Sequence, residues 1–211
     1  FSEHFNNYEA QEERQLLESV VWTLTGFAGV DRVQIWVNGH PLDEMPVAGL
    51  PMDGELSRAI GINLEYDQGV QLSQAMPVTL YFQNHSADLE RYFVPVTRMI
   101  KRSDQVAEAL VNQLISGPSG DLEPVFSSEA SVIGLTEHEG MIEVVFSDTL
   151  ISETEAVPAE TLQSVVLSLT ETVGAEQVQF NINGHTEVIS TDGLNYSDPV
   201  MRPKEINPLD V

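Results

Sequence analysis

The sequence predicts an α+β protein built from two tandem copies of one small unit. Three observations predict it. The chain repeats itself at an offset of 145 residues, apolar positions switch between helical and strand spacing, and Asn-Gly follows each repeated strand. At that offset Phe1 falls on Phe146, Ser2 on Ser147, Ser19 on Ser164 and His40 on His185, and 14 of the first 40 positions are identical without a gap. After a one-residue slip the match resumes, where R-x-x-x-I-N from Arg58 to Asn63 meets R-x-x-x-I-N from Arg202 to Asn207.

In the first copy, Leu16, Leu17, Val20, Val21 and Leu24 recur at helical spacing and predict an amphipathic helix over 12–27. Leu162, Val165, Val166 and Leu169 repeat it over 158–173, with Pro158 suited to a first helical turn. Gly29 and Gly174 mark the exits. The runs 33–37 and 178–182 alternate with period two and read as half-buried strands. Asn38-Gly39-His40 and Asn183-Gly184-His185 follow them, and Asn-Gly is a strong signal for a tight hairpin turn.

Upstream of the second copy, 78–83 and 91–97 read as strands joined by a polar turn, with Pro95 favouring an edge or a bulge. Val106, Leu110, Val111, Leu114 and Ile115 predict a helix over 104–116, stopped by Gly117-Pro118. Strands follow at 131–135 and 141–146, and Gly140 suits the positive φ of their turn. The full unit is therefore β-β-α-β-β-α-β, a small mixed or antiparallel sheet with two helices packed on one face. The expected division is a first domain over 1–73, holding only the C-terminal half of the unit plus a linker, and a complete second domain over 74–211. The leading half of the first copy is expected upstream of residue 1.

The composition sets limits on function. Nine Lys and Arg stand against 33 Asp and Glu in 211 residues, a formal charge of −24. So few cations argue against a phosphate-neutralising face for nucleic acid and against docking on anionic lipid. The same charge predicts a monomer in dilute solution. With no cysteine there is no thiolate nucleophile, disulfide or cysteine metal site, and no stretch is apolar enough for a membrane helix.

The run S-V-V-W-T-L-T-G-F-A-G-V-D-R-V-Q-I-W-V-N-G-H, with D-E-M-P-V-A-G-L-P and L-S-R-A-I-G-I-N-L-E after it, resembles the first domain of the GerM family. Y-F-V-P-V-T at 92–97, S-G-P-S ending at 119, L-T-E ending at 171 and N-G-H at 183–185 resemble its second domain. These are sporulation and spore-germination lipoproteins of endospore-forming Bacillus relatives. The resemblance implies a fold similar to the ring-building domains of secretion systems and no enzymatic activity. It implies an extracytoplasmic place between mother cell and forespore, with a lipid anchor upstream. There the protein supports a transenvelope channel through protein partners, and possible self-assembly into a ring is implied. A module binding cell-wall glycan is the alternative.

The residues by themselves offer little chemistry. Five histidines occur without H-x-x-x-H, H-E-x-x-H or H-x-H spacing, so no metal is expected. No G-x-S-x-G, G-x-G-x-x-G or P-loop occurs, so neither a catalytic residue nor a cofactor is expected. Two features remain. Arg58 and Arg202 are repeat-equivalent, and each is expected to tie its closing segment to carboxylates of its own domain. Arg98, Lys101 and Arg102 put three of nine cations within five residues; they either solvate a loop or meet an acidic partner. Trp36 aligns with polar Asn181 and is expected to face outward, as a further partner contact.

Overall fold

The computed structural model describes residues 1–88, 90–151 and 156–207. The chain forms two compact units, Phe1–Leu64 and Glu65–Val211. The division falls ahead of residue 73. Glu65–Tyr66 ladders onto a strand of the second unit at Arg98 and Met99, which ties the segment after residue 64 to that unit.

In the first unit, helix α1 spans Glu13–Leu24. It buries Leu17 and Val21 against Val33, Ile35, Met45, Met52 and Leu56. A hairpin of β1 (Trp36–Val37) and β2 (His40–Pro41) follows. Asn38 (φ 50°) and Gly39 (φ 80°) turn it, with positive φ at both central residues as a type I′ turn requires. The strand expected over 33–37 is laddered only at its end, and Val33 makes an isolated bridge to Leu56.

In the second unit the elements are β3 (Glu65–Tyr66), β4 (Ala75–His85), β5 (Arg91–Lys101), α2 (Val106–Ile115), β6 (Val132–His138), β7 (Met141–Phe146), α3 (Ala159–Thr172) and β8 (Gln177–Ile182). They form two three-stranded sheets, β3-β5-β4 and β6-β7-β8, rather than one. The physical reason lies along β4. Ser164 Oγ donates to Tyr81 O (2.5 Å), Ser168 Oγ accepts from Tyr81 N (3.0 Å), and Thr172 Oγ1 accepts from Thr79 N (2.9 Å). Hydroxyls one helical turn apart thus satisfy backbone groups that a neighbouring strand would otherwise take. One core joins the sheets and helices, with Leu80 and Phe82, Leu110 and Leu114, Val144 and Phe146, Leu162 and Val165, and Phe180 all buried. Pro95 lies on β5 beyond the two residues that β3 reaches, where its missing N–H costs no rung of that ladder.

The repeat is visible in single bonds. Asn38 N donates to Phe1 O (3.1 Å), and Asn183 N donates to Phe146 O (2.8 Å), the same bond at the same offset. The turn at Asn183 (φ 49°) and Gly184 (φ 92°) repeats that at Asn38 and Gly39.

Candidate functional site

Arg58 and Arg202, both singled out in the sequence, lie at helix ends beside Thr25 and Thr170. Thr25 and Thr170 are repeat-equivalent, and each hydroxyl donates to a carbonyl four residues back, Val21 O (2.7 Å) and Val166 O (2.8 Å). An arginine from the closing segment then caps each helix. Arg58 Nε donates to Thr25 Oγ1 (3.1 Å), and Arg202 donates to Thr170 Oγ1 (2.8 Å) and Leu167 O (2.9 Å). A cation here also meets the negative end of the helix dipole.

The two clamps differ beyond that point. Arg202 pairs with Glu171 (2.7 Å), donates to Tyr81 Oη (2.9 Å) and lies over the Tyr81 ring at 5.4 Å. Arg58 lies over the Trp22 ring at 4.6 Å, and the position equivalent to Glu171 is Gly26. Their role in the described structure is to fasten the closing segment. In the second unit Asn207 adds to this fastening: its amide accepts from Phe93 N (2.7 Å) and donates to Phe93 O (3.0 Å).

The positive spot divides in two. Arg98 is 4% exposed. It pairs with Glu65 (2.8 Å), donates to Gln113 Oε1 (3.0 Å) and Gly117 O (2.9 Å), and lies over Phe82 at 5.5 Å. It is therefore an internal brace joining β3, β5 and α2, which corrects its reading as a loop cation or partner contact. Lys101 and Arg102 are exposed at the end of β5. His40 and His185 are exposed beside their turns. Trp36 is 47% exposed on β1. Among the described residues no group of three acidic or histidine side chains is placed to hold a metal ion.

Sequence reasoning missed a buried carboxylate. Glu13, 1% exposed at the start of α1, accepts from Val47 N (2.8 Å), Ala48 N (2.8 Å), Leu50 N (3.0 Å) and Tyr8 Oη (3.0 Å). Burial opposes its charge, but the amides of Ala48, Leu50 and Val47 and the Tyr8 hydroxyl outweigh it, so its pKa is lowered. Burial, together with Glu13, pushes Tyr8 up to about 12. Nothing in the sequence near residue 13 signals this, because its amide partners lie more than thirty residues away.

A cleft of about 400 Å3 opens in the second unit between α3 and the segment 194–206. Val166, Leu167, Met201, Pro203 and Ile206 give it apolar walls, with Gln163 and Glu205 among the polar groups lining it. Burial raises the pKa of Tyr196 in its wall, a hydrogen bond with Gln163 opposes this, and Asp192 adds to the rise.

The family model described as Germane, sporulation and spore germination, matches residues 1–43 and 79–188. The chain belongs to that family. It is similar to the spore germination protein GerM of Bacillus subtilis (strain 168), with 35% identity over 215 residues. That match covers 98% of this chain, and the chain spans 58% of the relative's length. In structure it is similar to the tandem GerMN domains of the sporulation protein GerM from Bacillus subtilis, at TM-score 0.89 and 36% identity. This covers 99% of this chain and 74% of that one. The Germane family model reaches residue 188, so Arg202 and Asn207 lie beyond its matched residues. Among the described residues of this Germane-family chain, no helix is long and apolar enough to cross a membrane.

Proposed function

We propose that the chain is a non-catalytic assembly module of the transenvelope channel between mother cell and forespore. It contributes a ring-building surface there, held at the membrane by a lipid anchor upstream. The observation that supports this reading best is the likeness, over nearly the whole chain, to tandem GerMN domains. The geometry is in keeping with it. The clamps and braces serve to hold two small scaffolds rigid, and what they leave outward is suited to touching other proteins. Trp36 is exposed on the short β1, Lys101 and Arg102 at the end of β5, and Leu24 and Phe27 at 41% and 65% exposure in the first unit.

The test is affinity capture of the full-length protein from sporulating cells, compared with the K101E/R102E variant. Envelope-spanning channel components should be captured with the native protein and lost with the variant, whose fold should not change. Substrate turnover by purified protein would refute the reading. Retention on insoluble cell wall, without channel components, would move it to the glycan-binding alternative.

A further inference from the structure

The two repeated turns place one chemistry in two settings. Both read Asn-Gly-His, at 38–40 and at 183–185, and in both the Asn and the Gly are exposed to water. Their backbones agree, with Asn38 at φ 50° against Asn183 at 49°, and Gly39 at 80° against Gly184 at 92°. Asn-Gly is chemically labile, because glycine has no side chain to shield its nitrogen from the carboxamide before it. With the same three residues in the same turn, a difference in lability has to come from what holds each nitrogen.

The glycine nitrogens do differ. Gly184 N donates to Asn181 Oδ1 (2.8 Å), and Asn181 is itself oriented by a bond from its Nδ2 to Glu143 Oε1 (3.0 Å). The residue equivalent to Asn181 is Trp36, whose indole has no acceptor to offer. Gly39 N accordingly has no hydrogen-bond partner among the described residues. The nucleophile is tethered in the second unit and untethered in the first.

We infer that Asn38 is a site of spontaneous modification through a succinimide, and that Asn181 protects Asn183, in the same motif, from that fate. The step is intramolecular. Gly39 N bonds to Asn38 Cγ, the Cγ–Nδ2 bond breaks, and Nδ2 leaves as ammonia with the proton from the Gly39 N–H. Water then adds across either ring C–N bond, its oxygen to the carbonyl carbon and a proton to the nitrogen, giving isoaspartate or aspartate. In a type I′ turn the glycine nitrogen points away from the carboxamide carbon, so each turn has to open before the ring can close. Opening the second turn also breaks the bond from Gly184 to Asn181, and opening the first breaks no counterpart of it. Isoaspartate adds a methylene to the backbone between Val37 and His40, which are ladder partners, and puts a carboxylate two residues from the exposed Trp36. The inference goes beyond the assembly reading and requires no partner.

The test is a time course of the purified, folded chain at mildly alkaline pH, with mass spectrometry of proteolytic peptides scoring amide-to-acid conversion at each Asn. Asn38 should convert ~10-fold faster than Asn183, a ratio equivalent to about 1.4 kcal/mol, the size of one hydrogen bond. N181A should raise the rate at Asn183 by about the same factor and leave Asn38 unchanged. W36N, at a position 47% exposed, supplies the acceptor without threatening the fold and should slow Asn38. In the urea-unfolded chain the two sites should convert at similar rates. Equal rates in the folded chain overturn the inference, as does an unchanged rate at Asn183 in N181A or no conversion at either site. A tenfold ratio that persists in urea would place the cause in the flanking sequence and overturn it too.

Discussion

Helices α1 and α3 are repeat-equivalent, with five of the twelve α1 positions identical, and have different surroundings. On α3, Ser164, Ser168 and Thr172 bind the backbone of β4 at Tyr81 and Thr79. The equivalent residues are Ser19 and Thr23 on α1 and Phe27 beyond its end. The α3 face closes the fold of the second unit through β4. Agreement between the copies marks what holds each scaffold together: the Thr–Arg helix clamp, the Asn-Gly turn and the apolar helix stripe. Disagreement marks where the copies can act differently. Trp22 against Leu167 and Trp36 against Asn181 are the two sharpest cases.

The comparison can be broken most directly at the clamps. R202A removes a cation that serves Glu171, Tyr81, Thr170 and Leu167, and should destabilise the second unit by ~3–4 kcal/mol. R58A should cost the first unit ~1–2 kcal/mol, through loss of the Thr25 hydrogen bond and the Trp22 ring contact. Native-state hydrogen exchange, read separately for the two units, measures each. No loss in the second unit with R202A would show that the clamp does not hold its closing segment.

A second difference is acid sensitivity. Glu13 has no counterpart in the second unit, where Pro158 stands at the equivalent position. Its folded pKa lies below the unfolded value of about 4.3, so its stabilisation is complete above that value. It is lost as pH falls from there through the folded pKa. E13Q should cost the first unit ~2 kcal/mol at pH 7 and flatten its response to acid, leaving the second unit unaltered. Urea melts at pH 7 and at pH 3 check both statements. The smallest effect expected is at the helix hydroxyls. S168A should loosen β4 by ~1 kcal/mol. Exchange protection at the Tyr81 amide reads this directly.

Much of the fold could be read from the sequence because its signals are local. Helical spacing located α1, α2 and α3 to within a few residues, and Asn-Gly located both repeated turns. Two strands of one hairpin were found but ended too early, and that error hid the role of Arg98. Ending the strand at Thr97 made Arg98 look like a loop residue. Carried on to Lys101, the same strand puts Arg98 on the parity of Val96 and Ile100, which are 1% and 2% exposed. The signal was therefore present, and strand length was the missing term. Glu13 and the cleft offered no such signal. Their partners come together only through tertiary packing, the carboxylate with a distant loop and Leu167 with the closing segment.

Arg202 and Asn207 reach back 121 and 114 residues, to Tyr81 and Phe93. During synthesis the second unit cannot complete its fastening until residues 202–207 have left the ribosome. Nearly the whole of that unit has therefore emerged before its latch arrives.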